Sequence, residues 1–310
     1  MTARVFIDGA VGTTGLDIVE RLTGRSDIRL ISLDEDRRKD TLARAEAMRS
    51  ADVTILCLPD DAAREAVDLA AGGDTRLIDA SSAHRVDPAW TYGFAELREG
   101  QREAIAQAGR VTNPGCYALG FVALVAPLVA ARLVPADLPL SCHAVSGYSG
   151  GGKALIARFE ADRGIAWRGY GFGVDHKHLP EMRERAGLTH APLFAPAVVP
   201  AHRGMVVEVP LLRDADPRIA PAEELLAAWC AHYAGTATVR VSGLVEEGEL
   251  LLRTDAPPTD RIDLALFASQ DGRQVRLVAR LDNLGKGAGG SCVQNLNLMI
   301  GAEETAGLRL

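Results

Sequence analysis

A glycine-rich turn between a short apolar strand and a helix constrains the fold of this chain most strongly. The strand is predicted at Arg4–Asp8, the glycines follow at three-residue spacing over Gly9–Gly15, and a helical apolar pattern begins at Leu16. This order is typical of a βαβ unit, in which N–H groups at the helix N-terminus hold the pyrophosphate of a dinucleotide. We therefore predict a dinucleotide-binding turn whose contacts come from Gly9, Gly12, Thr13, Thr14 and Gly15.

Strands and helices alternate after this turn. Further strands are predicted at Ile28–Leu33, Ala51–Leu58 and Arg76–Asp79, and a helix at Asp60–Ala71 has Asp60 as its expected N-cap. The alternation predicts a parallel sheet with ligands at the carboxyl ends of its strands. Two polar residues that follow the strand at Arg76–Asp79 are therefore candidates for holding an anionic substrate group, Ser81 and Arg85.

The residues after the second strand bear on the choice of cofactor. NAD-binding domains place an acidic residue there for the ribose hydroxyls, whereas the 2′-phosphate of NADP needs a small residue and cations. The chain carries both kinds, with acidic residues at Asp34–Asp36 and basic residues at Arg37–Lys39. We favour NADP, held by Ser32, Arg37 and Arg38, and a solvated charged loop is the alternative.

Strands predominate in the second half of the chain. A helix is predicted among them at Pro221–Tyr233, and the last strong helix, near Gly290–Ile300, is expected to return to the first domain. We predict an α/β protein with a Rossmann-type dinucleotide-binding domain at 1–115, rejoined by a C-terminal helix at 287–310. An α+β, mostly antiparallel catalytic and dimerisation domain occupies 116–286. Its strands are expected at Leu140–Val145, Leu193–Val199, Met205–Leu212, Thr238–Ser242, Leu250–Thr254, Ile262–Ala268 and Gln274–Leu281.

Cys116 is the candidate nucleophile. It follows Asn113-Pro-Gly, which cannot continue a regular element because proline lacks an N–H and glycine permits positive φ. The apolar run Tyr117–Leu133 then predicts a buried helix. The thiol would lie at the helix N-terminus, where unpaired N–H groups favour the nucleophilic thiolate. A small buried residue at a helix start is the alternative.

A thiolate nucleophile needs an acid/base partner, which is most often histidine. His176 and His178 stand two residues apart in front of a helix that begins at Pro180. His202 is a second candidate, and Arg203 beside it is suited to an anion. We expect no metal, because the two neighbouring histidines lack a third ligand at a recognisable spacing. The other histidines are interpreted as packing or surface residues: His84, His143, His190 and His232.

A second glycine-rich run, Gly285–Gly290, precedes the last helix. Glycines allow the backbone to approach a ligand closely, and Asn283 and Lys286 supply hydrogen-bond donors. The run therefore predicts a ligand contact, with a simple helix cap as the alternative.

Bulk properties exclude several classes of function. A formal net charge of −7 argues against nucleic acid as the main partner. The five cysteines are odd in number and lack a CxxC spacing, which fits a reducing cytosol better than a disulfide framework or a zinc site. We expect a cytoplasmic protein without a signal peptide, and Asn113, Pro114 and Pro127 interrupt the stretch that comes closest to a membrane span.

Several of these motifs together resemble the N-acetyl-γ-glutamyl-phosphate reductase family, a relative of aspartate-semialdehyde dehydrogenase. The resemblance covers essentially the whole chain, and the length of 310 residues resembles the shorter of the family's two types. Asp79–Arg85 departs from the motif of the longer type, which leaves the role of His84 open. The matching motifs are Gly9–Gly15, Ile78–Arg85, Asn113–Tyr117, Ser146–Gly150, His176–Glu181, Arg203–Met205 and Asp282–Gly287.

The resemblance implies a covalent reductase that acts on a small acyl phosphate. Cys116 would attack N-acetyl-γ-glutamyl phosphate, phosphate would leave, and the thioester would accept hydride from NADPH to give N-acetylglutamate semialdehyde for arginine biosynthesis. Either His176 or His178 would be the acid/base, with His202 in reserve.

The same resemblance implies roles for residues around the nucleophile. Asn113 would orient the cysteine loop, and Asn283 and Lys286 would lie near the nicotinamide. The substrate or phosphate site would be lined by Ser81, Arg85, Asn113, Ser146, His202 and Arg203.

Three other functions are compatible with parts of the pattern. Another acyl-phosphate reductase, such as aspartate-semialdehyde dehydrogenase, shares the mechanism and differs in the group on the substrate's α-nitrogen. A non-catalytic NADP sensor needs no nucleophile, and a thiol hydrolase needs no nucleotide-binding turn. We further expect a homodimer or homotetramer, for which the sheet-rich second domain is a natural interface.

Overall fold

The computed structural model describes residues 2–244 and 249–310, which divide into two compact units. The first unit contains the residues up to Ala95, Gly100–Gly115 and Ala288–Leu308. The second unit contains Glu96–Glu99, Cys116–Gly287 and Arg309–Leu310. The last helix of the chain therefore belongs to the same unit as the N-terminal strands.

The first unit is built on a six-stranded sheet in which the described neighbours are all parallel. Its strands are β1 (Ala3–Asp8), β2 (Ile28–Ile31), β3 (Val53–Leu56), β4 (Arg76–Asp79), β5 (Thr91–Tyr92) and β6 (Arg110–Thr112). Its helices before the last one are α1 (Thr13–Leu22), α2 (Thr41–Ser50), α3 (Asp60–Leu69) and α4 (Gln101–Gln107). The strand order β2-β1-β3-β4-β6-β5 changes direction between β1 and β3, and ligands of such sheets bind outside the carboxyl ends at this point.

Successive residues of the strands pack on opposite faces of this sheet. Val5 shares an apolar cluster with Ile18 of α1, whereas its neighbour Phe6 belongs to a second cluster with Met48 of α2. Both faces are thus covered by helices, which explains why Val53–Leu56 is buried throughout. A fully buried side chain of this size contributes about 1.5–3 kcal/mol to folding.

The second unit contains a seven-stranded mixed sheet, as the predicted α+β class requires. Its strands are β7 (Ser141–Gly147), β8 (Arg168–Gly169), β9 (Leu193–Val199), β10 (Met205–Leu212), β11 (Val239–Leu244), β12 (Ile262–Ala268) and β13 (Gln274–Leu281). The order is β11-β12-β13-β10-β7-β9-β8, and antiparallel pairs outnumber parallel ones by four to two among the described strands. The helices are α5 (Cys116–Ala130), α6 (Gly152–Ala161), α7 (Leu179–Ala186) and α8 (Ala222–His232), and the chain's last helix, in the first unit, is α9 (Gly290–Ile300).

Helix α5 packs tightly on the sheet of the second unit. A Cβ on Gly120 would lie 2.8 Å from Cγ2 of Val207 in β10, so glycine is what permits the close approach. Buried apolar side chains follow from Tyr117 to Leu128, and the helix begins at Cys116. Packing of α5 therefore fixes the position of the candidate nucleophile. None of the helices in the described part of the chain is long and apolar enough to span a bilayer.

Two local predictions were wrong. Leu250–Thr254 is irregular instead of a strand. Asp60 is the first residue of α3 and Pro59 its N-cap; the Asp60 carboxylate accepts hydrogen bonds from the backbone N–H and hydroxyl of Ser82. The last helix has the predicted bounds, Gly290–Ile300, and it ends there because Gly301 adopts φ 70°, so the segment 287–310 is helical only in part.

Candidate active site

The glycine-rich turn leaves the N-terminus of α1 open to an anion. Helix α1 begins at Thr13, its N-cap Gly12 offers no side-chain hydrogen bond, and the first turn holds no acidic residue. The turn is also tightly packed, since a Cβ on Gly9 would lie 2.3 Å from the carbonyl oxygen of Cys57. Unpaired N–H groups at a helix N-terminus fit a dinucleotide pyrophosphate.

A cavity of about 740 Å³ lies beside this turn in the first unit. It brings Ser32 and Arg38 together with Lys39 at the end of β2, as a 2′-phosphate site requires. Arg37 does not line the cavity; its side chain is about half exposed and lies 3.9 Å from the carboxylate of Glu46. The spacing of the basic residues Arg37–Lys39 did not indicate which of their side chains would line the cavity.

A buried ion pair that the sequence analysis missed lines the same cavity. Arg44 of α2 donates to the Asp8 carboxylate at 2.9 and 3.1 Å and to Glu65 at 3.2 Å. Burial raises the pKa of Asp8, and Arg44 opposes this rise only in part. The only indication of this pair in the sequence was Asp8, an acidic residue at the end of an otherwise apolar strand.

Ser81 and Arg85, predicted as substrate contacts, bond within the first unit. The buried Asp79 carboxylate accepts from the Ser81 hydroxyl at 2.8 Å and lies 2.7 Å from Nδ1 of His84. Arg85 donates to the carbonyl oxygens of Asn113 and Ala80. The two side chains therefore hold the loop after β4, and His84 stacks on Trp90 with ring centroids 4.3 Å apart.

Asn113 is held by hydrogen bonds from three directions in the first unit. Its backbone N–H donates to Asp79, and its side-chain N–H donates to the carbonyl oxygen of Ala288 at 3.0 Å. Its side-chain oxygen accepts from Asn295 of α9, which also donates to Gly93. Asn295 is fully buried and was missed, since a polar residue in a C-terminal helix gave no signal of its own. The network fixes the turn that precedes the cysteine.

An aromatic cluster in the second unit includes Tyr117, the residue that follows Cys116 in α5. The Tyr117 phenol donates to the carbonyl oxygen of Ala197 at 2.9 Å. Burial raises the pKa of Tyr117 and of Tyr170, and a negative charge on Cys116 raises both further. Tyr170 was not predicted, because an aromatic residue in a glycine-rich loop has no specific spacing. The thiol is half-buried and therefore reachable.

His176 and His178 belong to this aromatic cluster. Their ring centroids lie 4.8 Å apart, and each ring packs on Tyr117 at 6.2 and 5.9 Å. The backbone N–H of His178 donates to Nδ1 of His176 at 3.2 Å. Neutral His176 therefore carries its proton on Nε2. His202 is exposed and packs edge-on against Tyr148 instead.

Arg203 and Ser146 both have partners within the second unit. A guanidinium nitrogen of Arg203 lies 3.2 Å from the Asp282 carboxylate, which holds the side chain while leaving it partly exposed. Ser146 donates to the carbonyl oxygen of Gly147 at 3.0 Å. The residues predicted to line the substrate site are thus spread over the two units, with Ser81, Arg85 and Asn113 in the first and Ser146, His202 and Arg203 in the second.

Asn283 presents an unsatisfied acceptor. Its side-chain N–H donates to the Ser149 hydroxyl at 2.9 Å, whereas Oδ1 is buried without a hydrogen-bond partner among residues 2–244 and 249–310. Buried acceptors are rarely left unpaired. Oδ1 therefore fits a ligand that donates an N–H, such as a carboxamide.

Lys286, predicted as a donor to the nicotinamide, bonds to side chains of the second unit. Its ammonium is buried and bonds to the carboxylate of Glu96 and the hydroxyl of Thr238. These contacts satisfy the charge inside the second unit, because burial of a charge requires pairing. The donor predicted for the nicotinamide is thus already engaged. Within the described residues, no group of three His, Cys, Asp or Glu side chains is placed to hold a metal.

Two family profiles match consecutive parts of the chain. The profile "Semialdehyde dehydrogenase, NAD binding domain" matches residues 4–108, and "Semialdehyde dehydrogenase, dimerisation domain" matches residues 116–283. Solved structures of low identity share the fold: a probable aspartate-semialdehyde dehydrogenase from Pseudomonas aeruginosa has a TM-score of 0.72 at 19% identity, covering 97% of this chain and 99% of that one. Aspartate-semialdehyde dehydrogenase II from Vibrio cholerae, complexed with ASA, has a TM-score of 0.71 at 16% identity, covering 97% and 98%.

Full-length relatives are much more similar in sequence. N-acetyl-gamma-glutamyl-phosphate reductase 2 of Pseudomonas putida is 50% identical over 311 residues, which cover 99% of each chain. N-acetyl-gamma-glutamyl-phosphate reductase of Brucella ovis is 49% identical over 97% of this chain and all of its own length. With this identity and coverage, the chain belongs to the N-acetyl-gamma-glutamyl-phosphate reductase family within the semialdehyde dehydrogenases.

Proposed function

We propose that this enzyme reduces N-acetyl-γ-glutamyl phosphate to N-acetylglutamate semialdehyde with NADPH and releases phosphate, as a step of arginine biosynthesis. The observation that carries the proposal is the Cys116 thiol at the start of α5, followed by Tyr117, on which His176 and His178 pack. A buried scaffold alone needs neither a reachable thiol nor two histidines packed on the residue that follows it.

Cys116 is the nucleophile of the proposed reaction. Its place at the first residue of a buried helix favours the thiolate, which attacks the γ-carbonyl carbon of the substrate. The carbon–oxygen bond to the phosphate then breaks, phosphate leaves with the electron pair, and an acyl thioester remains on the sulfur. Asn113 and Arg85 act by holding the turn in front of the cysteine.

The His176–His178 pair supplies the acid/base. Neutral His176 is a donor at Nε2, since its Nδ1 accepts the backbone N–H of His178. Nε2–H can therefore donate a hydrogen bond to a substrate oxygen, and transfer of a proton to that oxygen requires the protonated imidazolium form of the pair. His202, exposed against Tyr148, is kept as a contact to the substrate instead of a proton donor.

NADP is the proposed cofactor, and when bound in reduced form it supplies the hydride. Gly9, Gly12, Thr13, Thr14 and Gly15 form the turn that would hold the pyrophosphate. Ser32, Arg38 and Lys39 would hold the 2′-phosphate in the first unit, and Arg37 is left out of this set. A solved aspartate-semialdehyde dehydrogenase with NADP, from Candida albicans, shares the fold at a TM-score of 0.62 and 13% identity, covering 97% of this chain and 99% of its own.

Asn283 is assigned to the nicotinamide on the basis of its unpaired acceptor. Oδ1 of Asn283 accepts no hydrogen bond within the described ranges 2–244 and 249–310, and the carboxamide of that ring offers an N–H donor. Arg203 is assigned to the anionic phosphate group of the substrate, because its side chain is held by Asp282 and remains partly exposed. Ser81 and Ser146 are assigned to shaping the substrate loops.

We assign the dinucleotide-binding domain to 1–115 and 287–310 and the catalytic and oligomerisation domain to 116–286, in a cytoplasmic homodimer or homotetramer. The profile matched by the second domain is that of a dimerisation domain. One sheet face of this unit carries ion pairs that cross strands, with Asp263 between Arg240 and Arg280. The molar mass in solution tests this assignment: two or four chains are expected, and a single chain at micromolar concentration would contradict it.

Substrate preference tests the proposed function against its nearest alternative. The reverse reaction is measured with N-acetylglutamate semialdehyde and with aspartate semialdehyde, each with NADP and phosphate. Preference for the N-acetylated aldehyde is expected. Turnover of aspartate semialdehyde alone would reassign the enzyme to another acyl-phosphate reductase.

A further inference from the structure

Lys286 is almost completely buried although it carries a charge, with a side chain that is 1% exposed. Its Nζ lies 3.1 and 3.2 Å from the two carboxylate oxygens of Glu96 and 3.0 Å from Oγ1 of Thr238. These contacts tie the ammonium to acceptors inside the second unit. The proposed reaction assigns no step to this lysine.

Glu96, Lys286 and Thr238 form one buried unit. The Glu96 side chain is fully buried, and the Thr238 hydroxyl donates to it as well as accepting from Lys286. Removal of one charge from such a pair leaves the other uncompensated in a medium of low dielectric constant. The three side chains therefore hold one another in a single arrangement.

The ion pair anchors a tightly packed turn. Lys286 lies in the single-turn π-helix Gly285–Gly289. A Cβ on Gly285 would lie 1.9 Å from the carbonyl oxygen of Thr259, which leaves no room for this part of the turn to shift. π-Helical turns are rare and are frequent at functional sites.

The residue after Lys286 faces the nucleophile. A Cβ on Gly287 would lie 2.9 Å from the Cβ of Cys116, and the Gly287 N–H donates to the carbonyl oxygen of Asp282 at 2.9 Å. Displacement of Lys286 would therefore move the backbone that packs directly against the cysteine.

We propose that the Lys286–Glu96 ion pair positions Cys116 by holding Gly287 against it, instead of contacting the cofactor. Lys286 is thus a positioning residue, and Glu96 and Thr238 are its anchors. The inference rests on the proposed function of Cys116 as the nucleophile. It replaces the nicotinamide contact that the sequence indicated for Lys286.

Two variants of the full-length protein test the proposal. Lys286→Met removes the ammonium and keeps the length of the side chain, and Lys286→Met/Glu96→Gln removes both charges while keeping an acceptor for Thr238. Three quantities are measured: kcat of the reverse reaction, the dissociation constant of NADPH, and the alkylation rate of Cys116 by iodoacetamide, followed on its own peptide by mass spectrometry.

Lys286→Met is expected to lower kcat by about tenfold or more and to slow alkylation of Cys116, because small displacements of reacting groups have large effects on rate. The dissociation constant of NADPH is expected to stay within about twofold, since the satisfied ammonium makes no cofactor contact. The double variant is expected to recover most of the lost kcat and alkylation rate, because no unpaired charge remains.

Two results would overturn the proposal. One is weaker NADPH binding by tenfold or more with unchanged alkylation of Cys116, which would make Lys286 a cofactor ligand. The other is a folded Lys286→Met variant with wild-type kcat and alkylation. Should Lys286→Met fail to fold, Glu96→Gln serves instead, with slower alkylation expected and a wild-type rate overturning the proposal. Alkylation and NADPH binding need no substrate, so they still test the positioning role if the proposed substrate is wrong.

Discussion

Gly287 packs against Cys116 so closely that a Cβ on the glycine would stand 2.9 Å from the cysteine Cβ. Two Cβ atoms do not approach to that distance, so any other residue at 287 must displace either the turn or Cys116, the proposed nucleophile. The backbone of the glycine-rich run therefore packs directly against the cysteine and limits its movement.

Gly287→Ala is expected to lower kcat of the reverse reaction by about tenfold or more, because the added methyl group displaces Cys116 from its reactive position. The matched control is Gly109→Ala, where an added Cβ meets nothing within 4 Å. Wild-type kcat in Gly287→Ala, with the control also unchanged, would show that the close approach is irrelevant to catalysis.

Arg38 and Arg37 offer a matched pair for the cofactor assignment. Arg38 lines the cavity beside the nucleotide turn, and Arg37 does not. Arg38→Ala is expected to raise KM for NADPH by about tenfold, because one charge-assisted hydrogen bond to phosphate is lost. Arg37→Ala is expected to change this KM by no more than about twofold. Steady-state kinetics at fixed ionic strength provide the measurement. Equal effects of both substitutions would mean that the loop acts only through its net charge.

The cysteines are expected to differ sharply in reactivity. Cys57 is half-buried like Cys116, but loss of solvation, together with the nearby Asp79 and Asp8 carboxylates, raises its pKa to about 12, so at pH 9 only about one molecule in a thousand carries that thiolate. Burial likewise raises the pKa of Cys142 and Cys292.

Iodoacetamide at pH 7.5–9 is therefore expected to label Cys116 and the exposed Cys230, with Cys116 faster because of its helix N-terminus. Peptide mass spectrometry separates the sites. Rapid labelling of Cys57 at pH 8 would contradict the burial argument, and faster labelling of Cys230 would contradict the activation of Cys116.

Arg76 is expected to be a main contributor to the stability of the first unit. Its guanidinium donates to the carbonyl oxygens of Ala106, Ala108 and Met299, which joins β4 to the ends of α4 and α9. Burial lowers the pKa of Arg76, so the desolvated charge depends on these acceptors.

Arg76→Ala is expected to lower the free energy of unfolding by about 3 kcal/mol, because several hydrogen bonds to a charged group are lost together. Urea denaturation followed by circular dichroism measures it. Arg4→Ala, which removes a solvent-exposed pair with Asp52, is the control and is expected to leave the midpoint unchanged. Similar midpoints for the two variants would refute the role of Arg76.

The fold was predictable from patterns that depend on neighbours in sequence. The strand at Arg76–Asp79 and those at Ile262–Ala268 and Gln274–Leu281 have the predicted bounds, because long apolar or alternating runs decide burial locally. Helix α2 was not predicted, because Thr41–Ser50 lacks a strong apolar pattern. One side of this helix packs on the sheet. The strand predicted at Leu250–Thr254 does not form, because its apolar residues have no partner strand among the described residues.

The contacts of the candidate site residues were harder to predict than the fold, because spacing in sequence does not show which side chain a polar group will contact. Lys286 was expected to contact the nicotinamide from a glycine-rich run, yet Glu96, 190 residues away, pairs with it. Asn295 and Tyr170 gave no signal, and Arg37 and Arg38 differ only in the direction they face. Motifs thus indicated the candidate residues, whereas tertiary contacts show which partners each of their side chains has.

Phosphate-dependent reduction of NADP tests the covalent mechanism proposed for Cys116. The protein is mixed with N-acetylglutamate semialdehyde, NADP and phosphate, NADPH formation is followed, and Cys116→Ser is measured beside it. We expect NADPH formation that requires phosphate and disappears in Cys116→Ser. NADPH formation without phosphate, or unchanged activity in Cys116→Ser, would contradict the covalent acyl-phosphate mechanism.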